Sequence, residues 1–241
     1  MRNGLTNLNF TCMDLNESVI ERGRALAIEK GFEQYMTFEV ANINEWQQAK
    51  KYSSVIAHHS LHHFLELEYV FDSIKQALKP GGKFITIDMI GRNGHQRWPE
   101  ALTLVEKYWH ELPLSYRYNL QLNRMETEFA DWDCSTEGFE GIRSQDILPL
   151  LLERFHFEEF LAFGNVVMPF VDRSFGHHFE PSTAWDSDFI DRLHEIDESG
   201  FKSGELTPNI MFAAMTANES DKQVYARGLS PEQSVRQVSE E

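Results

Sequence analysis

Four imidazoles fall within the run HHSLHH, as His58, His59, His62 and His63. Imidazole is the side chain best suited to proton transfer near neutrality, and it is the commonest ligand of transition metals. Neighbouring histidines on a strand or helix point apart, and no carboxylate stands at ligand spacing beside them, so no metal is expected here. His59 and His62 are the candidates for a catalytic proton acceptor or a group that orients a reacting partner. A second pair, His177 and His178 in RSFGHHFEP, and Tyr116 in an aromatic, polar stretch, are candidates for contact with a substrate. Asp14 closes the short β-like run NFTCMDL and so places a carboxylate at the tip of a strand.

The elements that must position these residues alternate in type. Asn16 follows the first run as a good helix cap, Val19, Ile20, Leu26 and Ala27 recur at helical spacing, and Gly31 is placed to stop the helix. Residues 37–41 (TFEVA) and 54–57 (SVIA) read as strands, and Leu67, Val70, Phe71, Ile74 and Leu78 form one helical stripe. Lys79, Pro80, Gly81 and Gly82 break that helix, and residues 84–90 (FITIDMI) form a nearly continuous apolar strand of the kind covered on both faces. Such alternation predicts a parallel sheet. After Gly91 a helix over about 101–112 leads into a region with the character of a cap. A helix capped by Ser144 follows, with Ile147, Leu148, Leu151 and Leu152 on one side. A strand over 157–167, a helix over 186–199 and a last strand over 210–216 complete the pattern.

The run LHHFLELEYVFDSIKQALKPGGKFITID, from Leu61 to Asp88, resembles class I S-adenosylmethionine-dependent methyltransferases. In that family a strand ending near such a histidine run is followed by a helix, an LKPGG turn and a buried strand. The resemblance is good over about residues 8–91, and the stretch WDCSTEGFEGIRSQD is similar to a bacterial subgroup of the same family. It implies an α/β fold with a doubly wound, mostly parallel, Rossmann-like sheet, whose last strand runs antiparallel, and a helical cap insertion. It also implies S-adenosyl-L-methionine as cofactor. Asp14 would accept from the ribose hydroxyls, Leu15 and Ile43 would flank the adenine, and Asn42 would bond its exocyclic amine. Ala57 and His58 would approach the methionine half. The family often has Asp where Asn42 stands. Its first strand and glycine-rich turn have no counterpart here, since Gly4 stands alone in MRNGLTN. The sequence therefore reads as truncated at its N-terminus, with weakened cofactor binding.

On this reading residues 1–91 are a partial cofactor-binding half and residues 92–145 the cap. Residues 146–217 are the remaining sheet half with an insertion at 168–185, and residues 218–241 form a mobile tail. The expected activity is methyl transfer to a small or medium-sized acceptor. The alternatives are a non-catalytic methyltransferase-like protein that binds a partner and a dinucleotide-dependent oxidoreductase. The LKPGG turn and the lack of a GxGxxG fingerprint stand against the latter. The chain has 241 residues with 22 Lys plus Arg against 38 Asp plus Glu; its net charge of −16 argues against nucleic acid as a partner. Two cysteines are too few for a disulfide framework and the start lacks a signal pattern, so a cytoplasmic location is expected. No run approaches the roughly 20 apolar residues that span a bilayer. A sheet without its central strand leaves unpaired backbone, and a homodimer is the expected remedy.

Overall fold

In the computed structural model, which describes residues 8–237, the first strand β1 (Phe10–Asp14) is followed by α1 (Glu17–Glu29) and β2 (Met36–Val40). Asn16 caps α1 by accepting the Ser18 N–H at 2.9 Å, and Gly31, at φ 70°, ends the helical turn. β1 and β2 pair in parallel from Phe10↔Met36 to Asp14↔Val40, so Asp14 and the segment after Val40 share one end. Gly4, the lone glycine ahead of β1, lies outside the described residues.

A second sheet begins with β3 (Tyr52–His58), crosses through α2 (Leu67–Ala77) and returns as β4 (Leu78–Met89), parallel to β3. Leu67, Val70, Phe71 and Ile74 are buried as the helical stripe predicts; Leu78, the stripe's last member, is buried too but as the first residue of β4. The Lys79–Gly82 segment, expected to break the helix, lies instead within β4, since α2 ends at Ala77; it forms a bulge there, with the register shifting between Tyr52 and Ser54 and Gly81 at φ 73°. A Cβ on Gly82 would lie 2.9 Å from the Lys79 carbonyl oxygen, which is why glycine is needed there.

The next elements are α3 (Pro99–Glu111), a two-residue hairpin of β5 (Tyr118–Asn119) and β6 (Arg124–Met125), and α4 (Ser144–Leu152). They are followed by β7 (His156–Phe163), α5 (Met168–Val171), α6 (Ala184–Ser203), β8 (Ile210–Thr216) and β9 (Val224–Tyr225). The larger sheet has the order β3-β4-β8-β7-β9. β8 runs antiparallel to both neighbours, as expected of the last long strand, while β1–β2, β3–β4 and β7–β9 are parallel. β1 and β2 form a separate two-stranded sheet, and no described strand pairs with the free edge of β3. Ile56 on β3 is 64% exposed and Phe10 on β1 44% exposed.

Two expectations are corrected. The strand predicted over 157–167 ends at Phe163, because Gly164 turns the chain at φ 69° and the Asp197 carboxylate collects the N–H groups of Asn165, Val166 and Val167 ahead of α5. The tail read as mobile is docked over residues 218–237. Val224 and Tyr225 pair with Glu159 and Phe160, Leu229 joins the core, and Arg236 lies 4.3 Å over the Trp98 ring. Its polar composition hid one buried leucine and one cationic anchor; residues 238–241 are outside the described part. No described helix is long and apolar enough to cross a membrane.

Candidate functional site

The histidine run begins where β3 ends. His59 still donates its backbone N–H to Ile87 O at 2.8 Å, but it adopts φ 46°, a left-handed conformation rare for a non-glycine residue. That turn throws the chain into a single helical turn, Leu61–His63, which lies over the carboxyl end of β4. His58 and His59 remain exposed, with ring centroids 4.7 Å apart, whereas His62 is buried.

Asp88, the penultimate residue of β4, is fully buried and fixes this turn. Its Oδ2 accepts the N–H groups of Ser60 and Leu61, each at 2.8 Å, and its Oδ1 lies 2.6 Å from His62 Nδ1 and accepts the Met89 N–H at 2.9 Å. Burial alone would raise the Asp88 pKa, but the imidazole and the backbone donors outweigh it and hold the carboxyl below its ordinary value. An ionised Asp88 can only accept, so His62 donates to it from Nδ1 and keeps Nε2 as its outward ring nitrogen. That atom faces Glu140, whose Oε1 is 3.4 Å away and also 2.7 Å from Nε2 of His95. Burial lowers the His95 pKa; Glu140 is held below its ordinary value because the bond from His95 and the nearby imidazoles overcome desolvation. His63 closes the group, its Nδ1 2.9 Å from Phe139 O and 3.7 Å from Glu140 Oε2.

Asp88, His95 and Glu140 were not singled out from sequence. Asp88 carries the same signal as Asp14, an acid at the carboxyl end of a strand, and was legible on that rule. His95 and Glu140 carry none, because each lies in an irregular loop.

The residues expected at the cofactor lie at the same ends of the parallel strands. Asp14 accepts the Asn16 N–H at 2.7 Å, Leu15 is 70% exposed, and Ala41 donates to Asp14 O at 3.0 Å, which brings Asn42 and Ile43 alongside. Asn42 spends its side-chain oxygen on the Asn44 N–H at 3.1 Å. Asn44 in turn accepts from the N–H groups of Leu65 and Glu66, both at 3.1 Å, tying the end of β2 to the loop after His62. Ala57 and His58 end β3. Tyr116, His177 and His178 form a different cluster. Tyr116 stacks on His178 at 5.5 Å and donates to Asp186 at 2.8 Å, which raises its pKa, while His178 Nε2 lies 2.9 Å from Tyr118 O and His177 packs 3.8 Å from His178. Those contacts fix the loop ahead of α6.

A family model described as "Methyltransferase domain" matches residues 2–145. None of the curated proteins matches the sequence. Similar solved structures include geranyl diphosphate C-methyltransferase from Streptomyces coelicolor A3(2), at 13% identity and TM-score 0.49, over 88% of this chain and 63% of that one. An O-methyltransferase from a trans-AT PKS multienzyme of Brevibacillus brevis is similar at 10% identity and TM-score 0.49, over 87% and 58%. The PH0226 protein from Pyrococcus horikoshii OT3 is similar at 17% identity and TM-score 0.44, over 87% and 72%. The chain thus spans less than two thirds of the first two.

Proposed function

The chain belongs to the methyltransferase-domain family, and on that premise we propose that it transfers the methyl group of S-adenosyl-L-methionine to a small or medium-sized acceptor. The observation that carries this reading is the placement of Asp14, Asn42, Ile43 and His58 at the carboxyl ends of parallel strands, where open α/β sheets bind ligands. A sulfonium methyl is already electrophilic, so the work left to the protein is alignment and, for a protonated acceptor, proton removal. His62, oriented by Asp88, is the residue suited to the second task, with His59 beside the methionine half. Residues 92–145 and 168–185 are read as the lid. They pack on one another through Trp109, whose ring centroid lies 4.9 Å from that of Phe175 and 6.4 Å from that of Phe170, and Tyr116, His177 and His178 lie within them.

Calorimetric titration with S-adenosylmethionine, S-adenosylhomocysteine and NAD tests the reading. The expected result is binding of the sulfur cofactors and none of NAD, with Asp14→Ala about tenfold weaker, or about 1.4 kcal/mol. NAD binding without either sulfur cofactor would overturn it. The exposed apolar residues Phe10, Leu15, Val40 and Ile56 favour a second element of the proposal, a homodimer that covers the free edges of β1 and β3. Binding of none of the three ligands by a stable dimer would favour a non-catalytic, partner-binding role.

A further inference from the structure

Two imidazole nitrogens and a carboxylate oxygen converge from three separate segments. His62 stands in the turn after β3, His95 in the loop after β4, and Glu140 in the loop before α4. One donor atom from each lies within 4.8 Å of the other two. Ligands about 2.1 Å from one ion stand roughly 3.0–3.4 Å apart in tetrahedral or octahedral arrangements. Glu140 Oε1 is 2.7 Å from His95 Nε2 and 3.4 Å from His62 Nε2, close to those separations, and the two imidazole nitrogens lie within 4.8 Å of each other.

The surroundings supply what a metal site needs besides ligands. Asp88 holds His62 through Nδ1 at 2.6 Å, the carboxylate–histidine arrangement that fixes the tautomer and makes Nε2 a stronger donor. The loops that carry His95 and Glu140 are fastened to each other. Gly94 N–H donates to Gly141 O at 2.8 Å, and Asn93 and Gln145 exchange backbone-to-side-chain bonds at 3.2 and 3.3 Å. Glu140 is 44% exposed, which leaves a way in from solvent. Glu140 and Asp88 bring two carboxylates to this cluster, the charge complement of a divalent ion. Local spacing within HHSLHH gives no hint of this, because the third ligand and the second histidine come from elsewhere in the chain.

We propose that His62, His95 and Glu140 bind a divalent transition-metal ion as a two-histidine, one-carboxylate site whose remaining positions take oxygen ligands. Such a set with open positions suits first-row ions such as zinc or iron(II). The identification of those open positions with the methyl acceptor rests on the methyl-transfer reading; it makes the acceptor an oxygen ligand that the ion acidifies, so that its proton passes to water, and His62, whose Nε2 would then hold the ion, positions the acceptor instead of taking its proton. Binding of the ion itself does not rest on that reading.

The test uses the full chain without an affinity tag, stripped with a chelator and titrated with cobalt(II) in the absence of any sulfur cofactor. The expected result is saturation at one equivalent with visible d–d bands and displacement by zinc. Glu140→Gln and His95→Asn weaken binding by at least about tenfold, and Asp88→Asn, which touches no ion, by about 10–100-fold. His110→Ala, in an exposed pair with Glu128, leaves it unchanged. Acetohydroxamic acid, a bidentate oxygen ligand, shifts the bands of the wild type. Circular dichroism confirms that each variant is folded; should His95→Asn unfold, Glu140→Gln on its half-exposed side chain decides. Cobalt binding that does not saturate at one equivalent, or that survives Glu140→Gln undiminished, overturns the site. Bands unmoved by the hydroxamate overturn the open positions. Because no cofactor is present, these outcomes are independent of whether the chain binds S-adenosylmethionine.

Discussion

Asp88→Asn keeps the size of a fully buried side chain and removes one acceptor, so its cost can be worked from four bonds. The amide oxygen can replace only one carboxylate oxygen. Turned toward Ser60 and Leu61, it keeps both bonds now at 2.8 Å and sets its NH2 against the Met89 N–H and against His62 Nδ1. The opposite orientation faces NH2 with two backbone donors that cannot adjust, so the first is preferred. His62 then has to accept at Nδ1 and move its proton to Nε2, while the Met89 N–H is left without a partner. A stranded buried donor costs about 1–3 kcal/mol, and the surviving bonds lose the strength that a charged acceptor gives them. The expected loss of stability is about 3 kcal/mol, read from urea unfolding at pH 7. The accompanying signature is a change of tautomer in the nitrogen shifts of the His62 ring. A variant within about 0.5 kcal/mol of wild type, with the proton still on Nδ1, would refute the reasoning from geometry to tautomer.

Three other outcomes follow from the structure. The Arg143 guanidinium grips Glu68 with two contacts of 2.7 Å and holds its carboxyl at about 2 instead of the ordinary 4.5. The depressed pKa means the pair stabilises fully above about pH 4.5 and loses its effect as pH falls through about 2. The face value of about 3 kcal/mol shrinks to about 1 kcal/mol once screening at a half-exposed pair is counted, so Glu68→Gln should cost about 1 kcal/mol at pH 7 and nothing near pH 2 in parallel urea titrations. Leu229→Ala removes a buried anchor of the docked C-terminal segment and should lower stability by about 2 kcal/mol in the same assay; no measurable loss would mean that the segment does not hold to the core. Ile56→Lys places a charge on the exposed face of β3 and should convert the proposed dimer to a monomer in light scattering. Unchanged association would move the contact elsewhere.

The order and type of the elements were legible because they depend on local periodicity. The stripe Leu67, Val70, Phe71, Ile74 is buried as spaced, Asn16 caps α1, and residues 210–216 form the antiparallel strand that the resemblance implies. Two errors came from long-range partners that no window reveals. Asp197, in α6, ends β7 early by collecting three amides after Gly164, and β7 recruits Val224 and Tyr225 from a polar tail. The same division holds at the candidate site. The sequence determined that imidazoles follow β3 and that an acid ends β1; Asp88 near the end of β4 was legible on the same rule but was recognised only in the structure. Which imidazole faces which carboxylate was decided only by the tertiary structure. His62 meets Asp88 across 26 positions and His95 meets Glu140 across 45, and such pairings depend on loop paths set by packing, not by any repeat in the chain.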